Sequence, residues 1–267
     1  MGKVFLNVKH TRVFDRVSSG PGSYLGRLAY LLLFCLALTP GFAQAAPIPQ
    51  DCNQLVVVTT QTWGNSNGDL RYFQRTNGRW VRQSGWRVRI GKNGLGWGES
   101  NWPLKQRPAE MTDKKEGDGK SPAGLFPILD GFGRPNESSN FPNFPFQAVD
   151  KNWAGVDDVK SSYYNQLVNS EELGSKKDWD SAEDMCIPEY LLGLRIGYNT
   201  ENPVPGNGSC IYVHLFSVPE RGTAGCTSMA PANLRKLCKW LKADQHPMIL
   251  QVPQPLYRKL EKSWNLP

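Results

Sequence analysis

Asn77-Gly78 sits between two alternating runs, DLRYFQR and RWVRQ, and this constrains the fold more than any other stretch. A two-residue hairpin turn of this kind needs positive φ at both central positions, which Asn-Gly tolerates best. Upstream, LVVVTTQTW from Leu55 to Trp63 is rich in β-branched residues and is expected to be a strand; downstream, WRVRIG from Trp86 to Gly91 alternates as a third. Strands following one another with no helix between them make an antiparallel meander and exclude an opening βαβ unit.

The rest of the chain keeps this bias. Gly124 to Ile128 is expected to be a short strand, and the mixed charges from Lys114 to Lys120 read as a solvated loop. Residues 130–190 hold many aromatic, Asn and Pro residues without periodicity, and are expected to form a groove wall or lid. Then LLGLRIGYN, the turn PVPGNGS and CIYVHLF give two more strands; in the second, Tyr212, His214 and Phe216 share one face and Ile211, Val213 and Leu215 the other. After Cys226, Ser228 is placed to cap a helix with Pro231 in its first turn and Leu234, Leu237, Cys238 and Leu241 at helical spacing. MILQV closes the strand list and LYRKLEKSW reads as a C-terminal helix. No internal repeat is evident. The expectation is a mainly β or α+β domain with few helices.

The amino terminus has the pattern of a secretory signal: basic residues, the apolar run LAYLLLFCLAL, and Ala43-Gln44-Ala45 ahead of a cut. Residues 1–45 are assigned to this leader, 46–54 to a short lead-in, and 55–267 to one domain. The apolar run is short for a transmembrane span, and Phe34 before Cys35 is wrong for a lipoprotein cut. Four of the seven net positive charges lie in the leader, so the remainder carries +3 and gives little reason to expect a nucleic-acid partner. The expected location is the periplasm or cell envelope, with no membrane span once the leader is removed.

Export would leave five cysteines, Cys52, Cys186, Cys210, Cys226 and Cys238, an odd number in an oxidising compartment. Beyond the leader only His214 and His246 supply imidazoles. Cys226 lies between Gly225 and Thr227, twelve residues after His214, and ahead of the expected helix, where the helix dipole would favour a thiolate. A Cys–His acyl-transfer site is one reading, with backbone amides near Gly225 and Thr227 facing an oxyanion. Two plainer readings stand beside it: Cys226 as half of a disulfide, and His214 as a half-buried structural histidine. A zinc site lacks the paired ligand spacing. His246, beside Pro247, reads as structural or exposed.

These motifs resemble a known family. GSCIYVHLF followed by GTAGCTSM is similar to the catalytic block of L,D-transpeptidase (YkuD-like) domains, in a branch whose cysteine motif reads TAGCT-x-M; EGDGKSPAGLFPI from Glu116 to Ile128 is similar to the family's Pro-x-Gly-x-Phe segment. YYNQLV and DWDSAEDM also resemble that branch, and the resemblance spans roughly residues 55–253. It implies a mixed β-sandwich with Cys226 as nucleophile, His214 as base, and Gly225 and Thr227 at the oxyanion turn. It implies peptidoglycan stem peptides as substrate, a second stem or a wall-anchored protein as acceptor, and no metal or organic cofactor.

The family's usual second histidine and the Arg after the cysteine are absent here; Arg221, Arg195 and Lys92 are candidates to bind a stem carboxylate instead. With a poor acceptor site the same thioester would be hydrolysed, giving a carboxypeptidase, amidase or endopeptidase. A non-catalytic wall-binding domain is the third reading, with Trp97, Trp102, Trp153 and Trp179 along a groove. With one cysteine working, Cys52, Cys186, Cys210 and Cys238 are the disulfide candidates.

Overall fold

The computed structural model describes residues 48–98, 111–216 and 221–267. The leader, Cys35 and Trp102 lie outside the described residues. The described residues all belong to one unit.

The expected meander is present. β1 (Gln54–Thr60) is buried along its whole length, and β2 (Asn67–Thr76) and β3 (Arg79–Arg89) form the hairpin. Asn77 and Gly78 take φ of 50° and 75°, as the turn demands. RWVRQ and WRVRIG prove to be parts of the one strand β3, whose pairing with β2 shifts register between Tyr72 and Phe73. Next come β4 (Leu95–Trp97) and β5 (Ser121–Gly133), the latter more than twice as long as the expected strand over 124–128.

Residues 130–190 contain short elements: β6 (Phe146–Ala148), β7 (Trp153–Val156), β8 (Leu167–Asn169), α1 (Ser170–Leu173) and β9 (Ala182–Asp184). β7, β8 and β9 make a small sheet of their own. β10 (Leu192–Ile196), β11 (Tyr212–Leu215), β12 (Thr227–Met229), α2 (Pro231–Trp240), β13 (Met248–Pro253) and α3 (Gln254–Glu261) complete the chain. None of the described helices is long and apolar enough to cross a membrane.

Eight strands pair in the cyclic order β10, β11, β12, β3, β2, β1, β13, β5, and β5 pairs back to β10. The sheet is mixed, since β1 runs parallel to β13 and β11 parallel to β12. The mixed β fold that the resemblance implies thus takes a barrel-like form here. Closure removes the exposed edges that an open sheet would leave.

β1 shows how the core divides. Val56 and Val58 join the main cluster with Leu234, Leu237 and Cys238 of α2, whereas Leu55 and Val57 face the opposite way onto Leu256, Tyr257 and Leu260 of α3. The amphipathic spacing of both helices is thus used on opposite faces of one sheet. A third, smaller cluster of Phe132, Val149, Met185, Tyr190, Cys210, Tyr212 and Cys226 joins the 130–190 segment to β11.

Three expectations give way to the structure. The Lys114–Lys120 run is not uniformly solvated: Lys114 is 4% exposed, its ammonium donating to Asp118 Oδ1 at 2.8 Å, because a partner four residues on lets the charge be buried. Ser228 does not cap a helix; β12 intervenes and α2 starts at Pro231, with Ala230 at the cap. The disulfide candidates stay unpaired: Cys52, Cys186, Cys210 and Cys238 are all free thiols, as is Cys226. Cys52, Cys238 and Cys210 belong to three different core clusters, which separates them.

Candidate functional site

β11 and β12 run parallel with Val213 opposite Thr227 and His214 opposite Ser228. Continuing that register by one residue puts Cys226 level with Tyr212, and the Tyr212 N–H donates to the Cys226 Sγ at 3.2 Å. Strand alternation then places Tyr212, His214, Cys226 and Ser228 on one face. Val213, Leu215 and Met229 turn to the main core on the other. The two residues singled out from sequence are neighbours diagonally across a strand pair, both buried, at 7% exposure for His214 and 6% for Cys226.

The histidine's tautomer follows from its partner. His214 Nδ1 lies 2.7 Å from the Leu215 carbonyl oxygen, which can only accept. Nδ1 therefore carries the proton, and Nε2 is left with a lone pair, as a base requires. Burial holds the imidazole pKa below its usual value, with the Leu215 carbonyl and Glu189 opposing. The ring is packed edge-on against Tyr190, centroids 5.3 Å apart at 85°.

Cys226 is held as a thiol. Its S–H donates to the Cys210 carbonyl at 3.2 Å, and burial, then the charge of Glu183, push its pKa well above that of a free cysteine. The Tyr212 N–H, Lys114 and the Tyr190 side chain act the other way. No helix dipole supports a ready thiolate, because β12 separates Cys226 from α2. Cys210 itself adopts φ 51°, an unusual conformation for a non-glycine residue, and its N–H is taken by Asn165 Oδ1 at 2.8 Å. A strained residue whose carbonyl is aimed at a buried thiol marks a place where the fold gives up local comfort.

The turn carrying the cysteine is clamped by two hydroxyls. Thr223 Oγ1 donates to the Cys226 carbonyl at 2.6 Å and accepts from the Gly225 N–H at 3.1 Å. Ser121 Oγ donates to the Gly225 carbonyl at 2.5 Å and accepts from the Gly91 N–H at 2.9 Å. Gly225 fits a close approach: a Cβ there would lie 3.1 Å from the Lys120 carbonyl oxygen, tighter than an ordinary contact. So KSP and TAGC, about a hundred residues apart in sequence, meet at one turn.

Thr227 points away from this face. Its hydroxyl donates to Gln251 Oε1 at 2.7 Å, and Gln251 Nε2 donates to the Pro122 carbonyl at 3.2 Å, tying β12 through β13 to β5. Gln251 is 1% exposed. Gln251→Leu would leave both a buried hydroxyl and a buried carbonyl without partners, at about 1–3 kcal/mol each. We expect a loss of about 3 kcal/mol in urea unfolding, partly recovered in the Gln251→Leu/Thr227→Val double variant. A loss below about 1 kcal/mol would show the bridge to be dispensable.

The cationic candidates separate. Arg195 is committed to Asp130, with Nε donating to Oδ1 at 2.7 Å, while Lys92 and Arg221 are exposed near the cysteine turn. Residues not singled out individually from the sequence, though Glu116, Tyr164, Glu183 and Ser209 lie in its quoted motifs, complete the surroundings. Tyr190 hydrogen-bonds Glu183, and Ser209 and Tyr164 both donate to Glu116 Oε2, at 2.7 and 2.6 Å. The described tryptophans do not line one groove: Trp97 packs on the second core cluster, Trp153 on the third, and Trp179 against Tyr163. His246 is exposed, 4.0 Å from Asp51.

Comparison with known proteins bears on this arrangement. The L,D-transpeptidase catalytic domain family (YkuD) matches residues 65–250. Among solved structures, that of Bd1075 from Bdellovibrio bacteriovorus is similar at 15% identity with a TM-score of 0.38, over 80% of this chain and 54% of that one. The chain thus spans about half the length of that protein. No curated protein matches.

Proposed function

Because the chain belongs to the L,D-transpeptidase catalytic domain (YkuD) family, we propose that it is an exported enzyme acting on peptidoglycan stem peptides through a thioester on Cys226. The observation that carries this reading is the single sheet face bearing a buried thiol and a histidine whose Nδ1 is fixed by the Leu215 carbonyl.

In the first step Cys226 gives its proton to His214 Nε2, and the sulfur attacks the carbonyl carbon of the diamino acid at stem position three. The negative charge of the tetrahedral intermediate is met by backbone N–H groups at Gly225–Thr227, the Gly225 N–H turning from Thr223 Oγ1 to the oxyanion. The bond to D-alanine breaks, its nitrogen takes the proton from His214, and the thioester remains. An acceptor amine then attacks the thioester carbonyl, losing its proton to His214, and sulfur leaves to recover the thiol. Water in place of the amine gives hydrolysis.

The neutral resting pair has a consequence for pH. A raised thiol pKa means that the thiolate fraction at neutral pH is small and grows about tenfold per pH unit. Alkylation of Cys226 by iodoacetamide should therefore climb steadily through pH 9, without the plateau on the acid side that a thiolate–imidazolium pair produces. A plateau below pH 7 would contradict the neutral pair.

The function itself is tested with disaccharide-tetrapeptide. Transfer gives a cross-linked dimer plus D-alanine, and hydrolysis gives disaccharide-tripeptide plus D-alanine. Neither product forming, with the protein folded and bound to peptidoglycan, would replace the enzyme reading by the wall-binding one.

A further inference from the structure

Tyr190 packs against His214 and lies in the same buried cluster as Cys226. Its ring stands edge-on to His214, and 5.5 Å from the ring of Tyr212 at 88°. Its side chain also acts to lower the pKa of the Cys226 thiol. It is 6% exposed, so its hydroxyl must find a protein partner, and it donates to Glu183 Oε2. Glu183 lies on β9 of the small sheet, so this hydrogen bond links that sheet to the thiol.

We infer that Tyr190 is a third catalytic side chain, whose hydroxyl supports the Cys226 sulfur as charge develops on it, and that Glu183 is a positioning residue which holds or releases that hydroxyl. The inference rests on Cys226 being the nucleophile.

Proton count sets the two states apart. A phenol has a single O–H and cannot donate to two acceptors at once. With Glu183 ionised, that proton is directed to the carboxylate, and the carboxylate's own charge opposes a thiolate. With Glu183 protonated, the carboxyl O–H donates to Tyr190 Oη, and the Tyr190 O–H is free to turn to sulfur. Passing to this state takes up one solvent proton at Glu183 and reverses the Tyr190–Glu183 hydrogen bond. As the Cys226 proton goes to His214 Nε2, the S–H donation to the Cys210 carbonyl is lost and a Tyr190 O–H donation to sulfur replaces it.

Glu183 is suited to sit between these states, because burial pushes its carboxyl up to about 7, with Asp157 and Glu116 adding to the rise and the Tyr190 hydrogen bond opposing it. The groups facing it are Tyr190, Cys210, Tyr212 and Cys226 on the barrel side, Asp157 after β7, and Glu116 from the loop before β5. Lys114, the buried cation of that loop, acts on Cys226 in the opposite sense.

The two residues should respond with opposite signs. Tyr190→Phe keeps the ring against His214 and removes only the hydroxyl. Cys226 alkylation by iodoacetamide, mapped by peptide, should slow about tenfold at fixed pH, its pH profile moving up by about one unit. Turnover should fall through kcat with KM little changed. Glu183→Gln removes the opposing charge and should move the profile down, with faster alkylation.

A merely structural role would move neither profile, and general loosening would speed both. Profiles unchanged, or moved in the same direction, would overturn the inference. Alkylation needs no substrate, so an error in the stem-peptide reading would leave these shifts intact. If instead Cys226→Ser kept turnover, the nucleophile itself would be wrong, and Tyr190 would have no sulfur to support.

Discussion

Cys226→Ser should lose turnover by about 10⁴-fold or more while remaining folded. Serine is the informative replacement because Cys226 has two structural duties: its sulfur accepts from the Tyr212 N–H, and its S–H donates to the Cys210 carbonyl. A hydroxyl can perform both, so unfolding free energy should stay within about 1 kcal/mol of the parent. Cys226→Ala is expected to be equally inactive and less stable, since it leaves the Tyr212 N–H buried without an acceptor, at about 1–3 kcal/mol. Residual turnover above about one per cent in either variant would remove Cys226 from the mechanism.

The second large effect is at His214. His214→Asn places an amide N–H where Nδ1–H now donates to Leu215, and removes Nε2. Turnover should fall by about 10³-fold, the range of a lost general base.

The same variant isolates a pH dependence of stability. The folded-state pKa of His214 is lowered by burial. A lowered value means that the unfolded chain binds the proton more readily. The contribution to stability is thus full above the unfolded value near 6.5 and is lost as pH falls towards the folded one, at up to about 1.4 kcal/mol per pH unit. Glu183, whose pKa is raised, works in the opposite sense over the same range. Its contribution is present in both proteins and cancels in the difference. Parent minus variant stability, from urea unfolding at pH 7.5 and pH 5, should therefore decrease at the lower pH. No change in that difference would mean that His214 is not held neutral by burial.

How much of the fold is legible in the chain follows the range of the interactions involved. The β2–β3 turn, β1, β13 and both longer helices are specified by nearby residues: Asn77-Gly78 with its positive φ, and apolar spacing such as Leu234, Leu237 and Cys238. β5 exceeds its local signal because Pro122, Asp130, Gly131 and Gly133 are turn-type residues, yet pairing with β13, β10 and β4 keeps the strand extended to Gly133. The same long pairing closes the barrel, which no local pattern can report.

At the site, Cys226 and His214 stand out because reactive residue types are scarce in this chain. The local environment of Cys226 is harder to read, since Ser228 and Pro231 mimic a helix start, while Thr227 is drawn into a strand by Gln251 of β13. Tyr190 and Glu183 come from a region without periodicity. Only the fold puts them beside the thiol.

The most direct test is the intact mass of the purified protein after brief incubation with disaccharide-tetrapeptide, and separately with a carbapenem, followed by peptide mapping. The thioester mechanism predicts a mass increase equal to the disaccharide-tripeptide acyl group, or to the whole drug, located on Cys226. It predicts no such thioester on the Cys226→Ser protein. An unmodified Cys226 while D-alanine is being released, or an adduct on another residue, would contradict it.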